Sequence, residues 1–251
     1  MPLIPILDAI TGDKLSWAAF ACNVGLHFTQ TPLMMQMLRD GDSISLAKYS
    51  AYPACLQVAA CSMWLIYGLI VFRSTPLIAN NTIGVFVGLC YCACFILKRP
   101  TVLGKMIVLV SALFGISVAL TLYGTLYFGP TSSSSPLSRD AKDAVASAFT
   151  IAVTSLFWAS PLAALRAAAA DLDDKRVPVP LTLIMKCTVT LWLAVGVLVG
   201  DIALIVCSAI GLACTTLQLC VLCYIKVSKP RSAPREKSEL EVRSAGVPNS
   251  V

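Results

Sequence analysis

The stretch Trp64-Leu-Ile-Tyr-Gly68 recurs later in this 251-residue chain as Trp192-Leu-Ala-Val-Gly196. Two further pieces match in the same order, and they are Thr31-Pro32-Leu33 with Ser160-Pro161-Leu162, and Asn81-Thr-Ile-Gly84 with Ser208-Ala-Ile-Gly211. In the first copy the Pro, Trp and Asn follow one another after 32 and 17 residues, and in the second copy the Pro, Trp and Ser follow after 31 and 16. This near-constant spacing indicates two copies of one structural unit.

The composition is that of a membrane protein. Hydrophobic residues make up 57% of the chain and charged residues 13%, with a mean hydropathy of +0.81, whereas a soluble globular domain is about a quarter charged. About twenty apolar residues cross a bilayer as a helix, and seven stretches qualify, namely 15–37, 50–72, 77–97, 103–128, 144–167, 178–199 and 202–225. A lipid-exposed backbone must satisfy its own hydrogen bonds. We therefore predict an all-α membrane protein with seven transmembrane helices.

The seven spans divide into three, one and three. The first three-helix repeat covers 15–97 and the second covers 144–225, with the span 103–128 as the linker and 226–251 as a polar, disordered cytosolic tail. Because a unit of three spans ends on the opposite side from its start, the added span gives both units the same orientation. Repeats of this kind, related by an axis along the membrane normal, are how many transporters build a central substrate site.

Lys and Arg are unevenly divided between the two sides of this layout. Fourteen lie in the tail and in the loops after spans 1, 3 and 5, whereas the other side has only Lys14, Arg73, Arg139 and Lys142. The positive-inside rule then puts the C-terminus in the cytosol and the N-terminus outside or in a lumen. The plasma membrane is favoured, with an endomembrane as the alternative. The asymmetry accounts for the net charge of +6, so no nucleic-acid partner is expected.

The remaining reactive residue types do not form a recognisable catalytic or metal site. The eleven cysteines lie within or at the edges of apolar spans, where thiols behave as small hydrophobic groups. The lone His27 is interpreted as a hydrogen-bonded helix residue. Asn80-Asn81-Thr82 is a glycosylation sequon, but it is so close to the membrane that modification is not expected. No enzyme activity, cofactor or metal is predicted.

The joint order and spacing of these elements resemble the SWEET family of sugar facilitators, from span 1 to span 7. The pattern that carries the resemblance is Pro, Pro, Trp-x-x-Tyr-Gly and Asn-x-x-Gly in the first copy, with its echo in the second. The resemblance implies a sugar uniporter built from two three-helix bundles. It also implies that the substrate contacts fall on Trp64 and Trp192, and that Ser208 stands where the family carries an Asn.

Two Trp residues are predicted to lie near the bilayer midplane. Trp64 follows Pro53 by 11 residues and Trp192 follows Pro178 by 14. At 1.5 Å per residue, each Trp then lies about 16–21 Å in from the cytosolic edge of the membrane. An aromatic face can stack on the apolar C–H face of a sugar ring, so we predict sugar contact in preference to ordinary helix packing. Thr188, one turn before Trp192, either adds a hydroxyl to the site or bonds back to its own helix.

Asn81 and Ser208 are the polar members of the predicted substrate site. The Asn81 amide can donate and accept hydrogen bonds, which suits neutral hydroxyl groups, although an interhelical hydrogen bond is an alternative. The single hydroxyl of Ser208 would hold fewer sugar hydroxyls. Phe28 and Phe157 each lie four residues before a repeat proline and would narrow the cavity, which favours a hexose over a disaccharide. Alternatively, these two Phe side chains face lipid or the protein core.

Two gates are implied by the resemblance. Four prolines, Pro32, Pro53, Pro161 and Pro178, match those at the cytosolic helix ends of the family and would form bending points of an inner gate; Pro53 and Pro178 could equally be helix starts. Tyr67 and Asp201 occupy the positions of the outer gate, where a phenol can donate to a carboxylate. Asp201 could equally be the N-cap of span 7. Gln218 matches a Gln that the family carries in span 7.

The sequence thus predicts facilitative transport of a small neutral sugar by alternating access. The expected partners are a mono- or disaccharide, with a hexose favoured, and membrane lipid, while a homo-oligomer is left open. A PQ-loop-type amino-acid exporter is the nearest rival, but Pro32-Leu33 and Pro161-Leu162 stand where its Pro-Gln pairs would be. A seven-helix receptor would not need the repeat. Lys186, inside span 6, is interpreted as snorkelling to the interface.

Overall fold

The computed structural model describes residues 3–29, 31–39, 51–98, 101–128, 138–160, 162–172 and 179–228. Within these ranges the chain is helical. The helices are α1 (Leu3–Phe28), α2 (Thr31–Arg39), α3 (Tyr52–Tyr67), α4 (Thr75–Lys98), α5 (Val102–Tyr123), α6 (Arg139–Ala159), α7 (Leu162–Ala170), α8 (Val179–Val199) and α9 (Ile202–Ser228). α3 and α5 each continue as a π-helical segment, Gly68–Phe72 and Gly124–Phe128 respectively.

Five of the described helices are long and apolar enough to cross a membrane, namely Tyr52–Phe72, Thr75–Lys98, Val102–Phe128, Val179–Val199 and Ile202–Ser228. They coincide with predicted spans 2, 3, 4, 6 and 7. The predicted spans 15–37 and 144–167 are each divided instead. α1 ends at Phe28 and α2 begins at Thr31, while α6 ends at Ala159 and α7 begins at Leu162.

Both divisions lie at a repeat proline. Pro32 is the second residue of α2, where its ring would clash with a preceding helical turn and where it has no N–H to donate. Pro161 stands between α6 and α7 and lies outside the described residues, as does Pro178. In each of these two spans a described helix thus ends two or four residues before the repeat proline, at Ala159 and Phe28 respectively. Of the predicted tail, 226–228 extend α9 and the rest lies outside the described residues.

The helix contacts follow the internal repeat. In the first unit α4 packs against both α1 and α3, and in the second unit α9 packs against both α6 and α8. The two units meet along two seams, α1 against α8 and α3 against α6. Exchanging the two units leaves this set of contacts unchanged. α5, the linker helix, packs along α3 and α4.

A repeated glycine lets the helices of each unit approach closely. A Cβ on Gly84 would lie 2.5 Å from Cys61 Sγ and 2.7 Å from His27 Cε1. A Cβ on Gly211 would lie 2.8 Å from Val189 Cγ1 and 2.9 Å from Trp158 Cε2. Each unit thus packs one ring and one smaller side chain onto the same glycine, which explains why Gly is present at this position of both copies.

His27 is held inside the first unit by polar contacts. It is buried, and its Nδ1 lies 3.4 Å from Gln57 Nε2, which also donates to the Gly84 carbonyl at 3.2 Å. The Tyr91 hydroxyl donates to the His27 carbonyl at 2.9 Å. The interpretation of His27 as a hydrogen-bonded helix residue agrees with these contacts.

Gly84→Ala should lower the thermal stability of the purified protein. The added methyl group meets a sulfur and a ring that are both enclosed, and overpacking of this kind costs about 1–3 kcal/mol. Gly25→Ala is the matched control, because nothing lies within 4 Å of a Cβ at that helical position. The melting temperature in detergent measures both variants. A Gly84→Ala protein as stable as the Gly25→Ala protein would contradict the close packing.

Candidate functional site

The α3–α6 seam brings Trp64 together with a residue that the sequence reading missed. Trp64 is half-buried, and its Nε1 donates to Thr154 Oγ1 of α6 at 2.8 Å. Thr154 is buried. The signal in the sequence was a polar stripe on an apolar span, because Ser147, Thr150 and Thr154 recur at helical spacing. The bond joins the first unit to the second.

Trp192 lies on α8 and is buried. It belongs to an apolar cluster that includes Val195 of its own helix and Leu204 of α9, and Trp64 packs against the same cluster. The two repeat-related Trp residues are therefore parts of one cluster that both units share. Their role in sugar contact remains a prediction.

Asn81 and Ser208 are both buried, on α4 and α9. Asn81 Nδ2 donates to the Leu77 carbonyl of its own helix at 2.7 Å, so one of its amide hydrogens is used within α4. The neighbouring Asn80 is 2% exposed, which agrees with the expectation that this sequon is not modified. Asn80 Oδ1 is enclosed without a hydrogen-bond partner among the described residues.

Thr188 has an unused hydroxyl. It is 2% exposed, and its Oγ1 has no hydrogen-bond partner within the described part of the chain. The back-bond to α8 that the sequence left open is therefore not formed. An enclosed hydroxyl without a partner costs about 1–3 kcal/mol, so Thr188 would gain from a ligand that supplies one.

The two Phe residues predicted to narrow the cavity have different surroundings. Phe28, the last residue of α1, is half-exposed. Phe157 is less exposed and packs edge-on against Trp158, with ring centroids 5.3 Å apart. It borders the apolar cluster of Trp158, Met185 and Val189 in the second unit. The narrowing of a cavity by both rings remains a prediction.

Asp201 makes both of the contacts that the sequence left open. Its Oδ2 accepts a hydrogen bond from the Tyr67 hydroxyl at 2.7 Å, and its Oδ1 accepts from the Leu204 backbone N–H at 2.8 Å. The first bond joins the two units, and the second caps α9. Gly200, with φ of +76°, ends α8 just before it, and the Asp201 N–H bonds back to the Gly196 carbonyl at 3.0 Å. The chain geometry thus fixes the carboxylate opposite Tyr67.

We call this side of the molecule, where α3 ends and α9 begins, the Asp201 end. Tyr67 is 2% exposed there and packs edge-on against Trp64, with ring centroids 5.3 Å apart. The predicted outer-gate pair and the predicted substrate-contact Trp are therefore in direct contact. At the Asp201 end the Tyr67–Asp201 bond therefore lies next to the Trp64–Thr154 bond.

The other predicted gating residues are more scattered. Pro32 is exposed near the start of α2, and Pro53 is half-buried as the second residue of α3, a normal position for a helix start. Gln218 is buried on α9, and its Oε1 accepts from Thr182 Oγ1 of α8 at 3.1 Å. Gln218 therefore links two helices of the second unit. Lys186 is half-buried on α8.

Three comparisons with known proteins each cover most of the chain. A family model described as "Sugar efflux transporter for intercellular exchange" matches residues 13–102 and 144–230. The chain is 25% identical over 227 residues to the sugar transporter SWEET1 of Caenorhabditis elegans, an alignment that covers 89% of this chain and 69% of that protein. A solved eukaryotic SWEET transporter superposes with a TM-score of 0.73 at 16% identity, covering 87% of this chain and 100% of that one. The structural likeness confirms the predicted all-α fold class with seven transmembrane helices.

Proposed function

We propose a mechanism for this chain, which belongs to the family of sugar efflux transporters for intercellular exchange: a hexose binds between its two units and crosses by alternating access. Family membership makes the protein a sugar transporter of the membrane and not an enzyme. The choice of a hexose, the uniport mechanism and the gates are our proposals.

The observation that carries the proposal is the contact between the two units at the level of Trp64. Trp64 touches Tyr67, and both side chains bond to residues of the second unit, Thr154 and Asp201 respectively. A sugar that stacks on Trp64 would therefore lie directly beneath the closed Tyr67–Asp201 pair. Opening that pair exposes the same ring from one side, which is what alternating access requires.

Uniport is supported by the lack of acidic residues in four of the described membrane helices, since such residues could couple sugar to protons. The sequences of α3, α4, α8 and α9 contain no Asp or Glu, and intramembrane carboxylates are the usual proton relays of coupled transporters. The distribution of Lys and Arg supports a cytosolic C-terminus, with the Asp201 end on the opposite side. We favour the plasma membrane as the location.

The test is uptake of radiolabelled glucose, fructose and sucrose into proteoliposomes of the purified protein. We expect glucose or fructose to equilibrate to the outside concentration, with the same end point in the presence and absence of a proton gradient, and sucrose to enter more slowly. Accumulation above the outside concentration would contradict uniport. Faster entry of sucrose than of either hexose would contradict the proposed substrate.

Ser208→Asn should raise the affinity for hexose. The substitution restores a carboxamide at the position equivalent to Asn81 and adds a hydrogen-bonding group, worth about 0.5–1.5 kcal/mol, or up to about tenfold in affinity. Competition by unlabelled glucose against labelled glucose uptake measures the change. Ser208→Ala is the matched control and should not raise affinity. Equal affinities of all three proteins would mean that this position does not touch the sugar.

A further inference from the structure

Three hydrogen bonds join α3 and its continuation to α6 along the half of their seam that is nearer the Asp201 end. Positions 64, 67 and 70 lie on one face of α3 and its π-helical continuation, and each bonds to α6. The three contacts are Trp64 Nε1 to Thr154 Oγ1 at 2.8 Å, Ser147 Oγ to Tyr67 Oη at 3.5 Å, and Arg139 Nη2 to the Ile70 carbonyl at 3.0 Å. The last contact is nearest the molecular surface at the Asp201 end.

The internal repeat relates the α3–α6 seam to the α1–α8 seam. The residues of the α1–α8 seam that correspond to these hydrogen-bonded residues are different. In the register that equates Pro32 with Pro161, the counterparts of Thr154, Ser147 and Arg139 are Gly25, Ala18 and Ile10. In the register of the two Trp residues, Tyr67 and Ile70 correspond to Val195 and Leu198. None of these counterparts has a polar side chain. The repeat therefore does not require these three contacts.

The π-helical segment explains why Arg139 can bind a backbone carbonyl. The segment Gly68–Phe72 ends at Arg73, whose φ of 52° is left-handed. Carbonyls in the last turn of a helix have no partner further along it. Arg139 Nη2 donates to one of these, that of Ile70. The guanidinium therefore joins the second unit to the end of a helix of the first.

The linker helix α5 holds Arg139 in position. Asp143, one turn after Arg139, forms an ion pair with it at 3.2 Å. Tyr127, in the π-helical continuation of α5, donates to Asp143 Oδ1 at 2.5 Å, and the Arg139 guanidinium lies 4.8 Å from the centre of the Tyr127 ring. An exposed ion pair contributes little to stability by itself. A guanidinium that contacts both a carboxylate and an aromatic face is nevertheless restricted to few orientations.

We propose that Arg139 is a second gating residue at the Asp201 end, and that α5 is part of this gate through Tyr127 and Asp143. Opening at this end then has to break the bond of Arg139 to Ile70 as well as that of Tyr67 to Asp201. The proposal rests on the proposed alternating-access function. It assigns the linker helix a role in gating beyond joining the two repeats.

A native cysteine reports on the gate without the need for sugar. Cys207 is 3% exposed and lies next to Ser208 on α9. Its thiol lies beside the Thr154 hydroxyl that accepts the hydrogen bond from Trp64, which in turn packs on Tyr67. Cys207 is therefore enclosed beneath the Tyr67–Asp201 pair, and a water-soluble reagent should reach it faster when the gate opens more often.

The experiment measures the rate at which a charged maleimide modifies Cys207 in the purified protein in detergent, with peptide mass spectrometry to separate this cysteine from the other ten. Arg139→Gln should raise the rate about tenfold, which is near the lower end of what the loss of a hydrogen bond from a charged group produces. Arg139→Lys keeps the positive charge but lacks the forked guanidinium, so its modification rate should lie between those of the native protein and Arg139→Gln. Arg73→Gln is the matched control, because Arg73 is an exposed arginine at the same end, and it should react at the native rate.

An unchanged rate in Arg139→Gln, or an equal rise in Arg73→Gln, would overturn the proposal. The Arg139 side chain is 53% exposed, so the variant should fold, and an unchanged melting temperature establishes that the rate does not reflect unfolding. The measurement contains no sugar. If the protein transports no sugar but the variants show the expected maleimide rates, the proposed substrate is wrong and the gating role of Arg139 is still supported.

Discussion

Trp64→Ala and Trp192→Ala should each reduce sugar uptake at least about 100-fold while the protein remains folded. A ring that stacks on a sugar contributes buried apolar area and a further 0.5–1.5 kcal/mol or so from aromatic geometry. A total near 2.7 kcal/mol corresponds to about 100-fold in rate. The two residues occupy the same position in the two repeats and pack on one shared cluster, so we expect losses of similar size.

Phenylalanine at the same positions separates stacking from hydrogen bonding. Trp64→Phe keeps a ring but loses the N–H that bonds to Thr154, so it should keep more uptake than Trp64→Ala if stacking dominates. Thr154→Val removes the other partner of that bond without touching the ring, and its uptake should match that of Trp64→Phe. Uptake is measured in proteoliposomes with protein of equal monodispersity.

Trp17→Ala is the control for this pair of substitutions. Trp17 is 43% exposed on α1, where it packs edge-on against Phe20, and its loss should leave uptake near the native rate. Native uptake by both Trp64→Ala and Trp192→Ala would contradict sugar stacking. Equal losses in all three alanine variants would indicate that removal of any Trp harms the fold.

The sequence predicted those features that depend on one segment or on the repeat. Hydropathy located five of the seven spans because an apolar helix of membrane length has few alternatives. The repeat paired Trp64 with Trp192. The bond between Tyr67 and Asp201 followed from the family resemblance, and the capping role of Asp201 from its place after Gly200. Asp201 makes both contacts because a carboxylate has two oxygens, and the structure uses one for each.

The features that sequence reasoning missed depend on which helix faces meet. Thr154 became recognisable as the partner of Trp64 only when α6 was seen to pack on α3. The Ile70 carbonyl can accept from Arg139 because the helix ends at Phe72 in a π-helical turn, which the regular 3.6-residue periodicity does not reveal. Likewise, hydropathy shows that α5 crosses the membrane but not that Tyr127 at its end bonds to α6.

Asp201→Ala should be the most destabilising change at the Asp201 end. It removes the cap of α9, which costs about 0.5–2 kcal/mol, and it takes the acceptor from a Tyr67 hydroxyl that is nearly enclosed, which costs about 1–3 kcal/mol. Asp201→Asn is the informative comparison, because Asn is an equally good N-cap but offers no charged oxygen to the phenol. We expect Asp201→Asn to retain most of the thermal stability that Asp201→Ala loses.

The gate itself is tested by combining Asp201→Asn with Tyr67→Phe. If the bond between the phenol and the carboxylate closes the gate, each single variant loses the same interaction and the double variant loses nothing more. The coupling between directly bonded partners is typically about 0.5–3 kcal/mol, so uptake by the double variant should equal that of the more impaired single variant. Losses that multiply would show that the two side chains act separately. In that case the capping of α9 would be the main role of Asp201, and the Tyr67 hydroxyl would serve the protein through Ser147 or another partner at this end of the seam.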